Sequence, residues 1–406
     1  MIASAGGSDD ASESAATSKK PSPGEVLTRV ERELRELWTT SASAAAAGGA
    51  GAASGISREP PRSRACTMNL VVVAGSTEIA QRYTSVVDEV TRSVPARAII
   101  VALDPDSRVD SLEGDVTAVC STNDATTLCS ERVSLVARGS VCGRVGSAIE
   151  ALSVPEMHTV LVWLGRVHVS DAVFQSVARD AQRVVLDTAY TSLTSLLHLA
   201  RWAREAPGRP HVADLAWTRL AVWQEMCARF FDEPTLREHA QHVTRLEVRQ
   251  ASEPGARLGS EGALLLGWLA TRLGWKPERV GGSLRFRRPD GALIAVDLGA
   301  VARPREVAPA ALAAVSIEAE LGGVALKGTI VRELASGLRE DAPDADVLVW
   351  HLDAPVPSAT EQRVRLRANR GARLLERTLH RAPFDPALDE AALFAEEALE
   401  DGVVCR

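Results

Sequence analysis

The 406-residue chain is 46% apolar and 24% charged, the balance of a globular protein with enough length for about two or three cores. Its formal charge of -7 argues against a protein that works by neutralising phosphate backbones, which needs an excess of Lys and Arg. Met1 to Lys20 is small and polar without an apolar h-region, and no later window reaches about 18 uncharged apolar residues, so neither secretion nor membrane insertion is expected and a cytoplasmic location is.

Along the chain, Leu27, Val30, Leu34 and Leu37 recur at steps of three and four between Glu and Arg residues. That spacing predicts an amphipathic helix over Val26 to Trp38, with a seam that docks on its own domain or pairs with a partner helix. The Ser/Ala/Gly run from Ser41 to Ser54 has no packing face and reads as a flexible tether, so residues 1–60 form a disordered tail with one helix and a linker.

From Arg62 strands and helices alternate. Asn69 to Ala74 is a nearly continuous run of β-branched residues, which suits a strand buried on both faces. Gly75-Ser76-Thr77 then supplies a turn and a cap, and the next helix sets Ile79, Tyr83, Val86, Val87 and Val90 on one stripe. A second buried strand at Ala98 to Leu103 completes a βαβ unit, for which a parallel pair with a right-handed crossover is expected. Asp115 to Ser121 and Glu131 to Ala137 alternate like half-exposed strands. A helix near Val145 to Leu152, a strand at Thr159 to Leu164, a helix at Asp171 to Ala181 and a strand at Arg183 to Asp187 continue the pattern. Leu193 to Arg204 and Asp214 to Phe231 then read as two helices joined by a turn at Pro207 to Pro210. Residues 61–237 are thus an α/β domain with a largely parallel or mixed sheet.

Beyond Glu238 the composition turns towards antiparallel β structure. Thr244 to Arg249 is strand-like, and Ser260 to Leu273 is an Ala/Leu helix closed by Gly274. Ser283 to Arg288 and Ala292 to Asp297 flank Pro289-Asp290-Gly291, a hairpin turn, and further strands are expected at Val315 to Glu320, Val324 to Ile330 and Val347 to His351. Residues 238–406 form an α+β domain whose helical end is acidic through Glu396, Glu397, Glu400 and Asp401.

No catalytic signature can be read. The turn at Gly75 has one glycine where the G-x-G-x-x-G fingerprint has three, although a helix N-terminus can still hold an anion. Gly139, Gly143 and Gly146 lack the lysine of a phosphate loop, and small-residue packing or a turn explains them more simply. There is no G-x-S-x-G and no H-E-x-x-H. The eight histidines are scattered, and even His198, His239 and His242 have no carboxylate at ligand spacing, so no metal and no cofactor are expected. Six cysteines in a cytosolic chain read as reduced thiols, with Cys120, Cys129 and Cys142 close enough in sequence to form a redox pair instead. Arg363, Arg365, Arg367, Arg370, Arg373, Arg377 and Arg381 read as a solvated face or the complement of an acidic partner or of the acidic tail, rather than a nucleic-acid site. Asp187-Thr188, at the end of a predicted strand, is either a turn or cap or a functional pair.

One helix stands out. Asp214 is a natural N-cap, and Trp217, Leu220, Trp223, Cys227 and Phe231 follow on one apolar stripe. Thr218, Arg219 and Gln224 point off that stripe, where a partner can touch them. The run Asp214-Leu215-Ala216-Trp217-Thr218-Arg219-Leu220 followed by Trp223 resembles the DLxWTRLxxW element of the glucose-6-phosphate dehydrogenase assembly protein family, OpcA. In the same order, Arg64 to Val73 resembles its R-x-x-x-x-N-L-V-V-V entry, and Pro95 to Ile100 its HPSR strand, with Val94 and Ala96 departing. Cys129-Ser130-Glu131 resembles its C-x-E strand, and Val154-Pro155 before Val160 to Trp163 its PDLPVxLWW strand, with Met157 and His158 departing. Leu186 to Ala189 resembles its V-D-S-A segment, and Trp268-Leu269-Ala270 with Leu273-Gly274-Trp275 its W-L-A-x-x-L-G-W element.

The resemblance implies a bacterial, noncatalytic accessory protein that binds glucose-6-phosphate dehydrogenase, promotes its active oligomer and raises its activity allosterically in the oxidative pentose phosphate pathway. It makes Trp217, Leu220, Trp223, Trp268 and Trp275 motif core, and Asp187, Thr188, Asp214, Thr218, Arg219 and Gln224 candidates for partner contact. The alternative is an α/β enzyme or sensor that binds a nucleotide or sugar phosphate at Gly75 to Thr77 or near Asp187. The sequence sets no oligomeric state for the chain itself.

Overall fold

The computed structural model describes residues 21–47, 62–122, 127–281, 283–303, 307–334, 346–355, 361–366, 371–399 and 405. The expected tail at 1–20, residues 48–54 of the expected tether, and Arg367, Arg370, Glu400 and Asp401 lie outside the described residues.

Helix α1 runs from Pro23–Ala47, nine residues beyond its predicted end. The Ala-rich stretch from Ser41 has no packing face, but Ala has the best intrinsic helix propensity, and the helix continues through it where a tether was expected. Val26, Val30 and Leu34 are buried against the protein's own first sheet, which settles the docking of the seam. Gly114 permits the approach: a Cβ there would lie 3.0 Å from both Val30 and Leu135 side-chain carbons. Arg29 donates to the Gly114 carbonyl at 2.8 Å, and the Trp38 indole donates to Glu131.

The first sheet contains β1 (Arg62–Arg64), β2 (Asn69–Ala74), β3 (Arg97–Asp104), β4 (Ser111–Thr122), β5 (Thr127–Arg138), β6 (Thr159–Leu164), β7 (Arg183–Leu186) and β8 (His211–Asp214). Its order is β1-β5-β3-β2-β6-β7-β8, with β4 antiparallel on β5 and every other pair parallel. From β5 to β8 this is the 3-2-1-4-5-6 order of a doubly wound sheet, reversing direction between β2 and β6. β2 is buried at all six positions, as the unbroken apolar run requires of a strand covered on both faces. The covers are α2 (Thr77–Ser93), α3 (Val145–Leu152), α4 (Ala172–Ala178), α5 (Leu193–Arg204) and α6 (Leu215–Arg229).

Strand β8 was not expected. The sequence leaves His211 to Ala213 between two helices and starts the second at Asp214, whereas His211–Asp214 pairs with β7 from Arg183↔His211 to Leu186↔Asp214. A four-residue edge strand with one buried position has neither the length nor the alternation that marks a strand in sequence.

The second sheet contains β9 (Val243–Ala251), β10 (Lys276–Val280), β11 (Ser283–Arg287), β12 (Leu293–Val301), β13 (Leu312–Leu321), β14 (Val324–Leu334), β15 (Asp346–Asp353) and β16 (Glu361–Leu366), in the order β10-β11-β12-β9-β13-β14-β15-β16. The pairs are antiparallel as expected except β9 with β12, which is parallel. Gly291 at φ 88° makes the predicted turn between β11 and β12. Helix α7 (Ser260–Leu273) ends on Gly274 in the left-handed conformation, as the sequence predicts.

Two last helices tie the sheets together. Leu374 and Leu375 of α8 (Gly371–His380) pack into the cluster formed by β2, β3 and α2 of the first sheet. The buried Arg183, at the start of β7, donates to the carbonyls of Thr378 at 2.6 Å and Arg381 at 2.8 Å, satisfying the open C-terminal end of α8. α9 (Pro386–Leu399) crosses α7 so closely that a Cβ on Gly267 would stand 2.1 Å from the Ala391 carbonyl oxygen. Arg201–Glu396 and Arg272–Glu390 pairs flank that crossing.

Candidate functional site

The C-terminal ends of β7 and β8 lie side by side, and the sequence places Asp187 just after one and Asp214 at the end of the other. Asp214 is both the last residue of β8 and the N-cap of α6. Its buried carboxylate accepts from the Ala216 amide at 3.1 Å, the Thr188 amide at 3.0 Å and the Thr188 hydroxyl at 2.5 Å. One side chain therefore starts α6 and fixes the loop that leaves β7. Burial, and then the charge of Asp187, push the Asp214 carboxyl up to about 6 against the opposing effect of these three hydrogen bonds.

Arg219, one turn into α6, forms a two-pronged pair with Asp187 at 2.9 and 2.5 Å. Burial alone would lower this guanidinium, but the Asp187 charge and its hydrogen bonds outweigh burial and raise it. Glu261, in the first turn of α7, stands 3.7 Å from Arg219 and is 2% exposed. Its Oε2 accepts from the Leu312 amide at 3.0 Å, while its Oε1 has no hydrogen-bond donor among the described residues. The Tyr83 hydroxyl, from α2, is also buried without a partner among the described residues; burial first and the Asp187 charge second drive its ionisation upward. Ser260 donates to the Thr188 carbonyl at 3.0 Å. The cluster thus joins both sheets at the C-terminal edge of the first, where doubly wound sheets place their functional groups.

Five of the six residues expected to meet a partner converge in or around this cluster, and the structure turns them inward. Asp187, Thr188, Asp214 and Arg219 form its body. Thr218 was expected off the apolar face of α6, yet it is buried, sharing a hydrogen bond with the Thr378 hydroxyl at 2.8 Å because α8 covers that side. Gln224 lies further along α6 and is half-buried, its amide nitrogen without a partner among the described residues. The stripe itself is core: Trp217, Leu220, Trp223 and Cys227 are buried, and Trp217 donates to Asp385 at 2.8 Å. At its end Phe230 replaces the expected Phe231 in the core, because the helix stops at Arg229 and the period breaks; Phe230 stacks on Trp350 at 5.4 Å. Trp275 is buried on Phe286 and Trp268 is half-buried against the core. Glu261 and Tyr83 were missed as cluster members, since only the tertiary fold brings α7 and α2 to β7.

Other expectations resolve away from the cluster. In the Gly75-Ser76-Thr77 turn the Ser76 hydroxyl accepts from the Ile79 amide at 3.2 Å, a helix cap, and Thr77 stands where the fingerprint has its second glycine. Cys120 and Cys129 face each other across the β4–β5 ladder and are joined in a disulfide, which corrects the expectation of six reduced thiols. Cys142 is apart from them, buried, and donates to the Ala137 carbonyl at 3.2 Å; burial pushes its thiol up. Arg363 is paired with Glu333 and Glu361 on the exposed face of β16. Among the described residues no group of three or more His, Cys, Asp or Glu is placed to hold a metal, and no helix is long and apolar enough to cross a membrane.

Two family models match the chain in succession. Residues 87–201 match the glucose-6-phosphate dehydrogenase subunit N-terminal domain and residues 210–392 the C-terminal domain, together more than half of the chain. OpcA of Synechococcus elongatus, provisionally named an OxPP cycle protein, is 28% identical over 215 residues, covering 50% of this chain and 47% of its own. Its namesake in Nostoc punctiforme is 27% identical over 271 residues, covering 64% and 53%. The chain spans about half the length of the curated relatives it matches. Among solved structures, GenD2 from gentamicin A biosynthesis in complex with NAD is 13% identical, covers 86% of this chain and 96% of its own, and has a TM-score of 0.44. Levoglucosan dehydrogenase in complex with NADH is 9% identical, covers 82% and 96%, and has a TM-score of 0.42. Likeness at that level carries no inference about activity.

Proposed function

The chain belongs to the glucose-6-phosphate dehydrogenase assembly protein family, and from that premise we propose that it is a noncatalytic accessory protein of the oxidative pentose phosphate pathway, acting in the cytoplasm. It binds glucose-6-phosphate dehydrogenase, favours its active oligomer and thereby raises its activity. The observation that carries this reading is the pair of family matches, which run in order through both sheets rather than touching one motif. An accessory protein shifts an assembly equilibrium only by its differential affinity for the two states, so it needs a held surface rather than a nucleophile.

The buried cluster supports such a role. Arg219 is paired with Asp187, and Asp214 accepts from the Thr188 amide and hydroxyl, which fixes the loop between β7 and α5 from within. On the outer side of that loop Tyr190 is 67% exposed, an aromatic of the kind that anchors interfaces. In this reading Asp187, Thr188, Asp214 and Arg219 position the contact surface and Tyr190 touches the partner.

A pull-down from the native extract tests both parts. Immobilised full chain is expected to retain glucose-6-phosphate dehydrogenase, and a Tyr190→Ala chain to retain less. An extract from which the wild-type chain captures no glucose-6-phosphate dehydrogenase contradicts the proposal.

A further inference from the structure

Beside the ionic cluster lies a cavity of about 400 Å³, between the loop that leads into α5 and the loop that leads into α7. The first turns of both helices line it. The leading amides of a helix have no acceptor within the helix, and they carry the positive end of its dipole. In α5 the Ser192 hydroxyl takes one of them, from Ser195 at 3.3 Å. In α7 the N-cap is Gly259, which has no side chain to offer, so that buried helix end has no side-chain cap at all. Arg257 lines the same cavity, is exposed, and makes no ion pair among the described residues.

A second feature points to a ligand with hydroxyl groups. Glu261 lines the cavity at 2% exposure, and its Oε1 accepts no hydrogen bond. A buried carboxylate oxygen without a donor is costly, and Arg219 at 3.7 Å is beyond hydrogen-bond range. The rest of the lining mixes hydroxyls, from Thr188, Thr191 and Thr194, with aliphatic side chains, Leu193, Leu258 and Pro309, and has no aromatic ring. A base would find nothing to stack on, whereas a polyol finds acceptors and donors. The volume lies in the lower part of the range for small-molecule sites.

We propose that this cavity binds a small phosphorylated sugar, its phosphate on the first turns of α5 and α7 beside Arg257 and one of its hydroxyls donating to Glu261. Two helix N-termini and an unpaired guanidinium select the anion. The carboxylate repels a bare anion and accepts from a hydroxyl, so it selects the carbon skeleton. This site is separate from the turn at Gly75, and it does not depend on the partner: a chain that binds no dehydrogenase can still bind the sugar phosphate, and the reverse.

Titration calorimetry of the full chain with glucose 6-phosphate and ribose 5-phosphate tests the site, with glucose, ribose and inorganic phosphate as controls. The sugar phosphates are expected to bind at least about tenfold more tightly than inorganic phosphate or the parent sugars. Arg257→Ala, on an exposed residue, is expected to weaken them about tenfold or more. Glu261→Gln is expected to weaken the sugar phosphates while strengthening inorganic phosphate, from which it removes a repelling charge. The absence of heat at millimolar sugar phosphate overturns the proposal, as does unaltered affinity in Arg257→Ala. Equal affinity for inorganic phosphate identifies an adventitious anion site and overturns it too.

Discussion

Asp214 is buried among three donors and beside another carboxylate, and it is the place where charge and stability separate most cleanly. Asp214→Ala removes the cap of α6 and leaves the Thr188 amide and hydroxyl and the Ala216 amide without an acceptor. A lost N-cap costs about 0.5–2 kcal/mol and a stranded buried polar group about 1–3 kcal/mol, so the variant should lose about 3–4 kcal/mol. Asp214→Asn keeps an oxygen for the two amides and is itself a good cap, so it should stay within about 1 kcal/mol of the wild type at neutral pH. The two proteins differ in their response to pH. The folded carboxyl lies at about 6, above its ordinary 3.8, so the protonated form favours the fold. That contribution is fully present below the ordinary value and is lost as pH rises through the folded one. Two units correspond to about 3 kcal/mol, of which about 2 kcal/mol falls between roughly pH 4.5 and 7. Urea denaturation of wild type and Asp214→Asn across that range reads the difference directly, since the other titrating groups cancel. A difference that stays flat with pH, or an Asp214→Ala chain as stable as the wild type, refutes the assigned geometry.

Three further outcomes follow from the packing. Arg183→Ala takes two charged hydrogen bonds from the end of α8 and should cost about 2–4 kcal/mol, with protease cutting near residues 371–380 well before the rest of the chain; unchanged cleavage there contradicts the tie. Gly114→Val forces a branched side chain against Val30 and Leu135 and should cost about 1–3 kcal/mol while releasing α1, seen as new cleavage within residues 23–47. Cys120→Ser opens a crosslink of nine-residue separation and should lower stability by about 2–3 kcal/mol under oxidising conditions and not under reducing ones; equal loss in both would mean that the thiols are free in solution.

Much of the fold was legible where local pattern and burial coincide. The unbroken apolar runs of β2 and β3 could be nothing but doubly covered strands, and Gly274 and Pro289-Asp290-Gly291 mark the ends of α7 and β11 by backbone chemistry alone. Legibility failed where distant partners decide. β8 is a strand only because β7 offers it an edge, and Thr218 is buried only because α8 returns from more than 150 residues downstream. Asp187, Thr188, Asp214 and Arg219 were recognisable as special, yet their direction was not: the same charges suit a surface contact or a buried network, and only Glu261 and Tyr83, brought in by the fold, show which. The N-capping role of Asp214 was readable from its position before the apolar stripe, whereas its second task, holding the β7 loop, was not.

In its proposed role this chain changes the assembly and the rate of glucose-6-phosphate dehydrogenase. Sedimentation velocity and initial-rate measurements on one set of mixtures of the two purified proteins test it most directly. The dehydrogenase is expected to shift to a larger species that includes this chain, with activity rising over the same concentration range. Unchanged sedimentation and unchanged rate at micromolar concentrations of both proteins would contradict it.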